Sequence, residues 1–294
     1  MFKKILSKFK TKGISGLVRA VYSRVFAPHP NKASSFATLR KFFQNKTGME
    51  IGGASAVFTE PGLFPIYPIA LRVDNCNFGN RTVWEGVIEE GHTFQFDPKK
   101  FPGQQYIAEA TDLEIIPSAN YDFLLSSHVI EHIANPILAL TEWVRILKDD
   151  GVLVLLLPHK DGTFDHRRPV TTMQHLIEDF NAGMAEDDLT HMPEIMALHD
   201  LERDPEAGDF GAFKSRSEKN FENRCFHHHV FDTHLAVSLV DYMGLQILAV
   251  EAIRPMHILV LAQKTVNGVL PANSAYLAGS AQYRRASPFK SDHL

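Results

Sequence analysis

The chain changes regime where its apolar positions change spacing. From Tyr121 to Leu125 the residues are apolar apart from Asp122, and the run closes on Ser126, Ser127 and His128. Ile137 to Leu147, opened by Asn135-Pro136, repeats apolar residues at helical spacing. After Lys148-Asp149-Asp150-Gly151 comes a second continuous apolar run, Val152 to Leu157. The pattern predicts strand, polar crest, helix, turn and strand. In an open α/β sheet ligands sit over the carboxyl ends of strands, where Ser126 to His132 fall.

The same reading extends along the chain. Gly48 to Ser55 predicts a first strand and a glycine turn, Ala70 to Asp74 a second strand, Thr82 to Glu90 a short helix and Gln105 to Ala108 a third strand. Pro61, Pro65 and Pro68 forbid a regular helix between the first two strands. The polar stretch after Pro158 contains helical pieces at Met173 to Phe180 and Pro193 to Leu201. Phe231 to Met243 predicts a helix ended by Gly244. Leu245 to Ile253 and Met256 to Gln263 predict two strands joined at Arg254-Pro255.

With 294 residues, 45% apolar and 22% charged, the chain has room for one large α/β domain with additions. A net charge of −4 argues against a general nucleic-acid binder. Two cysteines, Cys76 and Cys225, form no CxxC pair and point to a reducing compartment. No apolar run approaches the ~20 residues of a membrane span, and no signal-peptide pattern opens the chain. The expectation is a cytoplasmic protein. Charge is unevenly spread: residues 1–49 carry eleven Lys/Arg and no acid, whereas residues 178–209 carry eleven Asp/Glu and one Arg. Phe2, Ile5, Leu6 and Phe9 share a helical face ringed by lysines. Residues 1–26 therefore read either as a helix docked on the domain or as a peripheral membrane contact.

Glu50-Ile51-Gly52-Gly53-Ala54-Ser55 places an acid before glycines that permit close backbone approach and positive φ. Asp74 follows Glu50 by 24 residues, near the spacing of a ribose-binding acid in βαβ nucleotide sites; an Asp-Asn turn at a strand end competes with that role. The absence of GxGxxG disfavours a nicotinamide enzyme. His227-His228-His229 is no ligand set on a strand, where neighbours point to opposite faces, and no metal is expected.

Two segments carry a family resemblance. Tyr121-Asp122 through Glu131-His132 to Asn135-Pro136, and Arg145-Ile146-Leu147-Lys148-Asp149-Asp150-Gly151 through Pro158, resemble the fourth strand, helix and fifth strand of class I S-adenosylmethionine-dependent methyltransferases of the type 11-like kind. The resemblance covers residues 47–160 and 225–264. It implies an α/β, Rossmann-like seven-stranded mixed sheet, its seventh strand antiparallel, flanked by helices and carrying a helical insert. The domains would be a basic amphipathic region at 1–46, the methyltransferase-like domain at 47–264 with an insert at 160–224, and a loosely ordered tail at 265–294.

The resemblance further implies S-adenosylmethionine as cofactor, held by Glu50, Gly52, Gly53, Asp74, Glu109, Ala110 and Ser127. Glu109-Ala110-Thr111-Asp112-Leu113 resembles the segment that meets the adenine, with Glu109 in place of the usual Asp. The loop His159 to Pro169 falls where the family places acceptor-binding loops. Asp165 and His166 are its candidates for the base that oxygen acceptors need, with His128 above the fourth strand as the competitor. The expected activity is methyl transfer to a polar small-molecule acceptor, a sugar or glycan intermediate. The alternative is a non-catalytic binding protein on a methyltransferase fold, favoured by the altered glycine motif. The oligomeric state is not readable.

Overall fold

The structure is a computed structural model that describes residues 32–266 and 269–294. The basic segment 1–26 lies outside the described residues. Along the chain run β1 (Thr47–Ile51), β2 (Arg72–Asn77), β3 (Arg81–Thr82), β4 (Gly86–Val87), β5 (Gly91–Phe94), β6 (Gly103–Ile107), β7 (Tyr121–Ser127), β8 (Leu147–Pro158), β9 (Leu245–Ile253) and β10 (His257–Lys264). The longer helices are α1 (Pro136–Ile146), α2 (Met173–Ala182), α3 (Met192–Leu198), α4 (Phe210–Glu218) and α5 (Thr233–Tyr242).

The main sheet has the order β5-β6-β2-β1-β7-β8-β10-β9. Strands β6, β2, β1, β7 and β8 are parallel, and β10 runs antiparallel between β8 and β9. The seven expected strands are thus present with the antiparallel seventh, joined at the far edge by β5, which pairs antiparallel with β6. The helix expected at Thr82 to Glu90 does not form. That stretch holds the β3–β4 hairpin, turned at Val83-Trp84-Glu85, and Gly86, which opens β4 at φ +77°, lies outside the helical region.

Both sheet faces are covered, and β8 shows how the sequence achieves this. Leu153, Leu155 and Leu157 join one apolar core with α1 and α5, while Val152, Val154 and Leu156 join the other. Strand residues alternate faces, so an unbroken apolar run is what a doubly covered strand requires. The second face is covered by Phe43, Phe58, Leu63, Phe64, Ile66 and Tyr67, from a stretch whose prolines deny it a regular helix. Helix α1 starts at Pro136, and Asn135 caps it by accepting from the Leu138 N–H at 3.0 Å.

Two boundaries differ from expectation. Ala33, Leu39 and Phe43 are buried in the second core, so the domain draws in residues before β1. The tail is not loosely held: Tyr283 and Phe289 are buried, and the buried carboxylate of Asp292 accepts from the Thr233 N–H at 3.0 Å and lies 3.2 Å from His159 Nε2. Small residues in the tail suggested looseness, but these few anchors decide its packing. No helix among the described residues is long and apolar enough to cross a membrane.

Candidate active site

The strand order reverses between β1 and β7, where connections leave toward opposite edges of the sheet. A crevice at the carboxyl ends of such strands is the expected ligand site. A cavity of ≈ 890 Å³ opens there. One part is lined by Gly52 and Gly53 after β1, Asn77 and Phe78 at the end of β2, and Ala108, Glu109 and Ala110 after β6. Another is lined by His128, Glu131, His132, Phe164, His227 and His257.

Gly52 and Gly53 have φ of +76° and +89°. A Cβ on Gly52 would lie 2.7 Å from Val129 Cγ2, and one on Gly53 would lie 2.4 Å from the Glu50 carboxyl carbon. Glu50 is buried and does not line the cavity; its carboxylate accepts from the Ser55 N–H at 3.2 Å and from the Tyr67 hydroxyl, fastening the glycine turn from behind. Burial raises its pKa to about 7 against the lowering effect of those bonds.

Asp74 is not at a strand end. Pairing of Asn75, Cys76 and Asn77 with β6 carries β2 three residues further than the sequence suggests. Asp74 is buried within the sheet, ion-paired to Arg72 at 2.6 Å, accepting from the Tyr121 hydroxyl at 2.8 Å and the Gln104 N–H at 2.8 Å. Its carboxylate is committed to the fold and does not reach the cavity. Asn77 stands at the strand end instead, buried, donating to Asn75 Oδ1 at 2.6 Å. Glu109 lines the cavity and pairs with Arg224 at 2.8 Å; Arg224 also pairs with Glu186 at 2.7 Å. Ala110 and Ser127 both line the cavity.

Of the three catalytic candidates, His128 lines the cavity, with Nε2 3.1 Å from His257 Nδ1. Burial and the imidazoles of His257 and His227 lower its pKa to about 3. His166 does not line the cavity; its Nε2 lies 2.7 Å from Asp200 Oδ2 in the insert. His159 is buried against Asp292 and Phe289. Asp165 is buried and has no cavity-facing surface of its own. It accepts from Arg168 Nη1 at 2.9 Å and holds Nδ1 of His227 with its other oxygen.

His227 is the residue that sequence reasoning missed. Burial alone would lower its pKa, but the Asp165 carboxylate and its hydrogen bond reverse the direction, and the net shift is upward. Asp165 is correspondingly held down at about 2: burial opposes ionisation, and His227 and Arg168 overcome it. The signal was the histidine triplet. The triplet lies in no strand, contrary to the geometry assumed for it, and each member enters a different polar cluster: His227 beside Glu131 and His132, His228 beside Asp188 and His191, and His229 beside His175, Asp179 and His191. Glu131 is buried with neither carboxylate oxygen hydrogen-bonded, and burial raises its pKa to about 7. Trp84 lies against His132, ring centroids 5.4 Å apart.

These features fit a nucleoside bearing an amino-acid arm. The side-chain-free turn would allow close approach of such a ligand, and the Asn77 side chain at the end of β2 and Ala108 to Ala110 after β6 line the same part of the cavity. Residues 87–155 match the family model described as methyltransferase domain. Among solved structures, the chain is similar to an S-adenosylmethionine-dependent methyltransferase from Aquifex aeolicus (12% identity, 86% of this chain and 97% of that one, TM-score 0.45). It is also similar to one from Mesorhizobium loti (13% identity, 79% and 98%, TM-score 0.44). A third is the Burkholderia thailandensis 1,6-didemethyltoxoflavin-N1-methyltransferase, bound to its substrate and S-adenosylhomocysteine (10% identity, 86% and 87%, TM-score 0.42). At such identities and TM-scores no function is carried over from these likenesses. No curated protein matches the chain.

The sheet order is that of an open α/β fold with a mostly parallel sheet, and the match to a methyltransferase domain falls on the segment from β4 to β8.

Proposed function

We propose that this chain is an S-adenosylmethionine-dependent methyltransferase that methylates a hydroxyl of a polar small molecule, a sugar or glycan intermediate, with His227 as the base. The observation that carries the reading is that His227, held from behind by Asp165, lines the cavity that also contains the glycine turn. Bound S-adenosylmethionine supplies an activated methyl group, so the protein's tasks are alignment and proton removal. Gly52, Gly53, Asn77, Glu109, Ala110 and Ser127 hold the donor in this reading, and Glu50 shapes the turn. Asp165 orients the His227 ring through Nδ1, which leaves Nε2 to take the acceptor proton. Trp84 supplies an apolar face of the kind that carbohydrate rings stack on. The basic segment 1–26 is retained as a peripheral contact with anionic membranes on its sequence pattern alone; vesicle co-sedimentation with and without the segment tests it, and equal, negligible pelleting removes it.

The test has two stages. Calorimetry measures S-adenosylmethionine binding to wild type and His227→Ala; micromolar affinity in both is expected. Methyl transfer from labelled donor to a panel of free and nucleotide-linked sugars is then followed. Loss of transfer in His227→Ala with retained donor affinity supports the assignment, and equal turnover removes His227 as base. No donor binding at millimolar ligand would favour the alternative, a non-catalytic binding protein.

A further inference from the structure

The insert holds a second histidine cluster, apart from the cavity. His175 and Asp179 sit one turn apart on α2, which Thr172 caps and Gly183 ends in the left-handed region. His191 precedes α3, and His229 lies in the stretch leading to α5. One ligating atom from each of the four lies within 4.8 Å of the others. His175 Nε2 is 2.8 Å from His191 Nε2 and 3.4 Å from Asp179 Oδ2, which in turn is 3.7 Å from His229 Nε2. A tetrahedral ion with bonds of about 2.0–2.1 Å sets its ligands about 3.3 Å apart. The observed separations bracket that edge.

Two further features point to a cation. Asp179 is 3% exposed, yet its Oδ2 has no hydrogen-bond donor; fully buried His229 faces it through Nε2, which also lies 3.3 Å from the Ala134 carbonyl oxygen. A buried carboxylate oxygen without a partner is costly, and among three imidazoles a metal ion is the partner that relieves it. The surroundings also resemble an outer ligand shell. His191 Nδ1 lies 3.3 Å from Asp188 Oδ2, and that carboxylate is itself held by the N–H and hydroxyl of Thr190 at 3.0 and 2.9 Å. A carboxylate on the far nitrogen fixes the tautomer and turns Nε2 of His191 toward the cluster.

We propose that His175, Asp179, His191 and His229 form a closed four-ligand site for a divalent transition metal, zinc foremost, that fastens the insert to the segment carrying His227. Three imidazoles and one carboxylate suit that ion, and four protein ligands leave no open position for chemistry. The site joins α2, the turn before α3 and the stretch 227–229, so binding free energy would become folding free energy of the insert.

The test uses the full chain without a histidine tag. Metal content after incubation with zinc and desalting is read by elemental analysis, the cobalt-loaded protein by visible absorption, and melting before and after chelation by calorimetry. The expected result is about one zinc per chain, strong tetrahedral cobalt bands and a melting temperature that falls on chelation and returns with zinc. Asp179→Asn and His191→Gln should each lower occupancy at least about tenfold, within the range seen for lost ligands and their supporting partners. Wild type that takes up no zinc, or gives no tetrahedral cobalt spectrum, overturns the proposal even where the variants fail to fold. So does metal lost in His132→Gln but kept in Asp179→Asn, which would place the ion in the active-site cluster.

Discussion

Asp165 Oδ2 and His227 Nδ1 share a hydrogen bond across 62 residues of chain. Asp165 lies in the loop after β8 and His227 precedes α5, so the pair closes the insert onto the main sheet. Arg168 binds the other oxygen of Asp165 and donates to the His227 carbonyl at 2.9 Å. The imidazole is therefore fixed in ring orientation and tautomer, as a general base must be.

The pair predicts a pH profile. A base acts when neutral, so kcat/KM should rise with pH through a pKa above the ordinary 6.5 of histidine, the direction in which Asp165 shifts His227. In Asp165→Asn burial acts without the carboxylate, and the acidic limb should move to lower pH. Turnover should fall by on the order of 10²–10⁴ in His227→Ala, with donor affinity kept. An unmoved acidic limb in Asp165→Asn would show that His227 is not the titrating base.

Gly53→Ala should abolish donor binding and cost about 1–3 kcal/mol of stability. The new Cβ would overlap the Glu50 carboxyl group and sit at φ +89°, a conformation L residues rarely adopt. Calorimetric affinity and urea midpoints check the two effects together. A variant as stable and as tight-binding as wild type would mean the turn tolerates a side chain.

Asp74 and Asn77 should separate fold from binding. Asp74→Ala leaves Arg72 and the buried Tyr121 hydroxyl without their acceptor, so stability should fall by about 2–4 kcal/mol. Asn77→Ala should instead weaken donor affinity roughly tenfold, the worth of one or two hydrogen bonds, with a smaller change in stability. The opposite pairing of effects would restore Asp74 as the cofactor residue.

Glu50 gives a stability prediction with a definite sign. Its pKa rises from 4.5 in the unfolded chain to about 7 in the fold, chiefly through burial. Between those values the folded state holds a proton that the unfolded state has released, so this group's contribution declines as pH rises through the window. Glu50→Gln cannot ionise. Its stability relative to wild type should grow by about 2–3 kcal/mol between pH 4.5 and 7. Parallel denaturation curves across that range would contradict the assignment.

Local pattern was enough for the elements that contain their own periodicity. Tyr121 to Leu157 showed strand, capped helix and strand because apolar spacing and the Asn135-Pro136 start act over a few residues. The glycine turn was readable for the same reason, since positive φ is a property of single residues. What depended on contact between distant segments was not readable. The end of β2 moved from Asp74 to Asn77 because pairing with β6 prolongs the ladder. By its place in the loop after β8 the sequence favours His166 over His227 as a base, and nothing local corrects that. Only the fold placed one against Asp200 in the insert and the other against Asp165 on the cavity wall. The alternation of strand and helix thus lay in the sequence, and the surroundings of each histidine in the tertiary structure, because periodicity is written along the chain whereas a side chain's partners are set by what folding brings within 3 Å or so.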